Sequence, residues 1–166
     1  MADLIRKGYG QVEPNHMSAQ RTGQIYAQLP AVSTITVLEN GTFAKYNYEV
    51  GVVDFVGDGE WMLVYNEVKL YDSLYQSLKD FALKKVDGTQ GVITPRLFKT
   101  NVGDIFTTNM LAATATALPA VGDKLAPGVD GILVDAGVVT TGMLWNVVKS
   151  TTMPDGQPAV KLQRIQ

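Results

Sequence analysis

Few side chains in this 166-residue chain are of types that do chemistry on their own. Histidine occurs once, in Pro14-Asn15-His16, and cysteine is absent. A serine nucleophile needs an imidazole oriented by a third group. His16 lies in a stretch without periodicity, and there is no Gly-x-Ser-x-Gly elbow. The missing cysteine removes disulfides, thiolate metal sites and cysteine nucleophiles together. Phosphate cradles are missing too: no Gly-Lys-Ser/Thr and no Gly-x-Gly-x-x-Gly occurs, and Lys7-Gly8-Tyr9-Gly10 is too short a match. Asp54, Asp58 and Gly59 fall at the first, fifth and sixth places of an EF-hand loop. Its third place is Val56 and its twelfth is Tyr65, which offer no suitable oxygen. A hairpin turn is the better reading, with an irregular acidic-turn calcium site as the alternative. Paired carboxylates are harder to exclude, because the fold can bring distant acids together. Most acids here neighbour a turn glycine, which leaves Glu49, Asp54, Glu60 and Glu67 on expected strands. Solvated strand faces account for these four. No catalytic residue, cofactor or metal ligand is therefore expected.

The elements that carry these residues read as β-structure. Five Asx-Gly pairs punctuate the chain: Asn40-Gly41, Asp58-Gly59, Asp87-Gly88, Asp130-Gly131 and Asp155-Gly156. Each suits the type I′ turn of a tight hairpin. Val32–Glu39 and Thr42–Tyr48 flank the first pair and are rich in β-branched and aromatic residues. Trp61-Met62-Leu63-Val64-Tyr65 is apolar on both faces, as a central strand would be. Met143–Thr152 and Ala159–Ile165 flank the last pair, with Pro154 and Pro158 confining the turn. Tyr71–Phe81 departs from the pattern: Leu74, Leu78 and Phe81 recur at helical spacing, so a short helix competes with a loop running into a strand. Val-Gly-Asp occurs at Val56–Asp58, Val102–Asp104 and Val121–Asp123, at unequal spacing, and reads as strand end plus turn.

Size and charge bound the rest. A chain of 18.0 kDa fits one domain that can bury a real core. Lys+Arg 14 against Asp+Glu 16 gives −2, with no more than two adjacent basic residues, so no nucleic-acid partner is expected. Ile105–Gly122 is the longest uncharged stretch and approaches the length of a membrane span, but its centre, Ala112–Ala117, is only Ala and Thr, too weakly apolar to favour lipid, so no membrane partner is expected. Met1–Lys7 is followed by no apolar stretch, so no secretion signal is expected. Met1–Pro30 is rich in Gly, Pro and Gln and lacks alternation, which makes it an arm. The expected fold is all-β: a small antiparallel β-barrel or sandwich over 31–166 with an extended N-terminal arm over 1–30. A sub-boundary is expected at 111–120, and one short helix at about 71–81.

Three stretches carry a resemblance: Val64–Tyr71, Lys79–Leu83 and Pro95–Asn109 resemble small structural proteins of tailed bacteriophages. Val121-Gly122-Asp123-Lys124-Leu125, followed by Gly128-Val129-Asp130-Gly131, is similar to the β-barrel part of capsid decoration (cement) proteins. The likeness spans roughly residues 60–166 and fits another accessory head protein, such as a head-fibre base, as well. It implies a virion protein assembled in the bacterial host cytoplasm, with the major capsid protein as partner, and a homo-oligomer, threefold in the family. A terminal arm lying across neighbouring subunits would meet them through Arg6, Lys7, Tyr9, Arg21 and Tyr26, since Arg and Tyr favour interface hot spots. On that view, deleting Met1–Arg21 leaves the β domain folded and weakens attachment. A tail without a partner is the plainer reading of the same segment. The rival from another class is a ligand-binding β module that grips surface polysaccharide through exposed aromatics, Trp61 or Trp145 among them.

Overall fold

The computed structural model describes residues 5, 6, 8, 10–12, 25–66, 85–87, 91–112, 118–137 and 142–166, with backbone alone at 25–28 and 85–87. The fold is all-β. Its strands are β1 (Ile25–Gln28), β2 (Val37–Glu39), β3 (Phe43–Asn47), β4 (Val52–Asp54), β5 (Met62–Val64) and β6 (Lys85–Asp87). They continue with β7 (Arg96–Phe98), β8 (Ile105–Thr108), β9 (Lys124–Pro127), β10 (Leu133–Asp135), β11 (Trp145–Thr152) and β12 (Pro158–Arg164). Sheet 1 has the order β1-β7-β5-β3-β4, sheet 2 the order β10-β9-β11-β12-β8, and β2 pairs with β6. All these pairings are antiparallel. The expected helix at 71–81 lies outside the described residues.

Sheet 1 is buried on both faces, which is why its central strand lacks alternation. Phe43, Leu63 and Phe98 point to sheet 2 and join a cluster with Phe106, Trp145 and Leu162. Ala44, Met62, Val64 and Leu97 point the other way, under Ile35, Leu38 and Ile93. Three rings knit the sheets together: Phe106 meets Trp145 edge-on at 4.7 Å, and Phe43 lies 5.8 Å from Trp145 and 6.0 Å from Phe106. Such geometry adds about 0.5–1.5 kcal/mol per pair beyond area burial. Sheet 2 curls until the residues after β8 reach its far edge, where Leu111 bridges Leu133 and the Ala112 N–H donates to Leu133 O at 2.9 Å. The rest of that gap has no ladder, so the layers form a curled sandwich.

Sheet 2 also holds a local two-fold relation. Gly103 N–H donates to Arg164 O (2.8 Å) and Arg164 N–H to Asp104 O (2.9 Å). Gly122 N–H likewise donates to Val147 O (2.9 Å) and Val147 N–H to Asp123 O (2.9 Å). Trp145 pairs with Arg164 and Val147 with Leu162, so the axis passes through the Asn146–Gln163 pair. Two of the Val-Gly-Asp tripeptides thus start equivalent strands, β8 and β9. In each, Asp closes a turn by accepting the N–H three residues back at 2.8 Å, and Gly takes φ near +96° or +97°. Valine is the exposed corner of that turn and does not end a strand, contrary to the sequence expectation.

The Asx-Gly reading needs correction as well. Among the described residues no non-glycine takes a positive φ, so the turns at Asn40-Gly41, Asp58-Gly59, Asp130-Gly131 and Asp155-Gly156 are not type I′, and the expected turn at Asp87-Gly88 lies outside the described residues. Asp130-Gly131 and Asp155-Gly156 do tip hairpins, β9–β10 and β11–β12. Asn40-Gly41 and Asp58-Gly59 instead join strands that do not pair, β2 to β3 and β4 to β5. The tight hairpin of sheet 1 turns at Tyr48–Gly51, where Asn47 Oδ1 accepts from the Glu49 and Val50 N–H groups.

Candidate partner-binding surface

The N-terminal segment is the first place to look, because the sequence puts its contact residues there. Arg6 is described, and its guanidinium is already engaged: Nη2 lies 2.8 Å from Glu39 Oε1. Glu39 also accepts the Gly10 N–H through its second oxygen. Tyr26 lies on β1, and Lys7, Tyr9 and Arg21 are outside the described residues.

Residues 10–12 are seated in the sandwich. Val12 is 1% exposed and bridges Thr108 at the β8 edge, the place that Leu133 of β10 holds beside Pro127 on the two-fold-related side. Gln11 is fully buried; its N–H donates to Asn109 Oδ1 (2.7 Å), its Nε2 to Asp155 Oδ2 (2.7 Å), and its carbonyl accepts from Thr108 Oγ1 (2.6 Å). Gly41 is required here: with φ +92° it leaves room for Thr108 Oγ1, which a Cβ would overlap. A segment that the composition presents as a free arm therefore pins itself over 10–12, and its deletion removes part of the core. The signal missing from the sequence is the partner set, since Asn109 and Asp155 lie 98 and 144 residues away from Gln11.

Asp155 carries the electrostatics of this clasp. Burial pushes its carboxyl up, but the side-chain amides of Gln157 and Gln11 and the Gln157 N–H donate to it and hold it below the ordinary 3.8. A carboxylate that accepts several such bonds favours its charged form.

The other candidates separate cleanly. Asp54 is buried and accepts from Val56 N–H and from Asn47 Nδ2, which fixes the turn after β4. Glu60 lies 3.6 Å from Lys99 Nζ, Glu49 is exposed on the Tyr48–Gly51 turn, and Glu67 and His16 are outside the described residues. Trp61 and Trp145 are 7% and 0% exposed, so neither offers a face for stacking a sugar. Of the described large apolar side chains that reach solvent, Tyr48 at 57% exposed is aromatic and the others are aliphatic; Val102, Val121 and Val129 are 67%, 67% and 81% exposed, each at a turn on the rim of sheet 2. A cleft of about 390 Å³ lies elsewhere, lined by Arg6, Thr36, Glu39, Thr42, Phe55 and Asp130 among others. No family model, curated protein or solved structure matches the chain.

Proposed function

We propose that the chain is a non-enzymatic virion structural protein that binds the outer surface of a tailed-phage capsid and bridges its major capsid subunits. One observation carries the reading. The residues behind the resemblance, Val121–Leu125 and Gly128–Gly131, form a turn, the strand β9 and a hairpin tip, with Val121 and Val129 projecting into solvent. Hydrogen bonds hold both turns, through Gly122 N–H to Val147 O and Gly128 N–H to Ile132 O (2.8 Å). Fixed apolar tips lose little entropy on docking. Burying each such valine is worth roughly 1–2 kcal/mol, and many symmetric copies multiply that through avidity.

The test is to quantify this chain in purified particles against the most abundant shell protein. A fixed ratio on the order of one to one or one to three supports decoration. A few copies per particle indicate a head-fibre or tail accessory role, and absence from particles refutes the reading. The second reading, a ligand-binding β module for surface polysaccharide, rests on the cleft that joins threonine hydroxyls, Asp130 and the Phe55 ring. A glycan-array signal lost in Asp130→Ala or Thr42→Val would put it first.

A further inference from the structure

Among the described residues most cations are spent internally, and the exceptions are not scattered. Among the described cations, Arg6 pairs with Glu39, Lys99 with Glu60, and Lys45 lies 4.8 Å over the Trp61 ring. Arg164 donates to Thr100 and to Gln166 O, and Arg96 is also engaged. The described lysines left without a partner are Lys124, Lys149 and Lys161. All three lie on the outer face of sheet 2. Lys149 is directly opposite Lys161 across β11 and β12, and Lys124 is opposite Asn146, which in turn faces Gln163. Like charges directly opposite each other destabilise a sheet, so the fold carries a cost here that an acidic neighbour would relieve. Val148, the extra residue of the β11 bulge, and Val121 beside it add exposed apolar surface to the same patch.

The chain also carries the complement. The described carboxylates without a partner are Glu49, Asp58 and Asp130; Asp130 lies at the β9–β10 tip, and the other two lie together at one tip of sheet 1. Glu49 sits in the Tyr48–Gly51 turn between Tyr48 (57% exposed) and Val50 (67%). Asp58 follows Val56 (84% exposed) in a loop held to β3 by Gly59 N–H donating to Tyr46 O at 3.1 Å. That tip and the lysine face cannot meet within one chain, because sheet 1 covers the inner face of sheet 2 and the lysines are on its outer face.

We propose that the occupant of the lysine face is a second copy of this chain, docked through its Glu49/Asp58 tip. The contact sets a basic-apolar patch against an acidic-apolar knob, so it is heterologous: each copy uses one surface as donor and the other as acceptor. Such contacts build rings when the rotation closes and open chains when it does not. The inference goes beyond the proposed function and stands on charge and topology alone.

The test is a charge swap in the full chain, read by sedimentation velocity at low salt. Wild type should self-associate, and raising ionic strength from about 0.05 M to about 0.5 M should weaken it, since the Debye length falls severalfold over that range. The variants Lys149→Glu/Lys161→Glu and Glu49→Lys/Asp58→Lys should each associate at least about tenfold more weakly alone. Mixed together they should recover a complex, because each supplies the reversed half of one contact. The substituted side chains are at the surface, and matching melting curves exclude unfolding as the cause. A monomeric wild type, unchanged association in both variants, or a mixture that stays dissociated would overturn the proposal. Failure here alongside a fixed copy number on particles refutes the copy–copy contact and leaves the capsid reading standing.

Discussion

Gly131 joins the two sheets at a point where no side chain fits, and replacing it by alanine tests the packing logic directly. Its carbonyl accepts the Phe43 N–H at 2.7 Å, its φ is +70°, and an added Cβ would overlap the Phe43 carbonyl oxygen. The backbone term for an L-residue in that region is about 1–2 kcal/mol. Moving the hairpin away also strands the N–H of a residue with no exposed surface, at a further cost of about 1–3 kcal/mol. The sum is about 2–5 kcal/mol, and at about 2–4 °C per kcal/mol for a chain of this size the melting temperature should fall by about 5–20 °C. Gly103 is the control: its φ is +96°, yet an added Cβ meets nothing within 4 Å. Gly103→Ala should therefore lose only the backbone term, and Gly122→Ala, its two-fold counterpart, should match it. Urea and thermal denaturation of the three variants decide the matter. If Gly131→Ala unfolds at the same temperature as Gly103→Ala, the sheet-to-sheet contact is not what restricts that position.

Deleting residues 1–12 should lower stability by about 2–4 kcal/mol in urea melts, from the burial of Val12 and the hydrogen bonds of Gln11; an unchanged midpoint would show that the clasp contributes nothing. Asp155 gives the molecule an acid-sensitive point. Its folded value lies below 3.8, so the charged carboxylate contributes stability above that pH, and the contribution is lost as pH falls through the folded value. Wild type should accordingly lose more stability than Asp155→Asn between about pH 6 and about pH 3, and parallel losses would refute the assignment. Arg6→Ala and Glu39→Ala should each destabilise by about 2–4 kcal/mol and the double variant by less than their sum, because each single change leaves a partly buried charge alone. Additive losses would place the two side chains in independent roles.

What could be read from the sequence was whatever depends on neighbouring residues. Trp61–Tyr65 announces a two-sided central strand because Met62, Leu63 and Val64 all become buried. The β11–β12 hairpin follows from Asp155-Gly156 set between two long β-branched runs. Asn40-Gly41 misleads because the same dipeptide serves a crossover turn, and only the partner of β2, which is β6, distinguishes the two cases. Gln11 reads as a solvated tail residue, because the groups that hold it, Asn109 and Asp155, are remote in the chain. The two-fold in sheet 2 left its trace in the repeated Val-Gly-Asp, but unequal spacing in the chain concealed an equal placement in space. The lysine face was invisible for a similar reason: Lys124, Lys149 and Lys161 are far apart in sequence and become neighbours only through the register of β9, β11 and β12.

The Asn40-Gly41 turn bears on how long such a molecule lasts. Asparagine before glycine is chemically perishable: the glycine nitrogen attacks the side-chain carbonyl, ammonia leaves, and the ring that forms opens to aspartate or isoaspartate. Here the glycine nitrogen is tied to Val64 O at 3.0 Å. The asparagine amide is held at both ends by Asn66, at 2.7 and 3.2 Å, and is 1% exposed. Neither reacting atom can swing toward the other while the fold is intact. Deamidation at this site therefore proceeds only through molecules that have opened, so the chemical shelf life of the chain is set by its conformational stability.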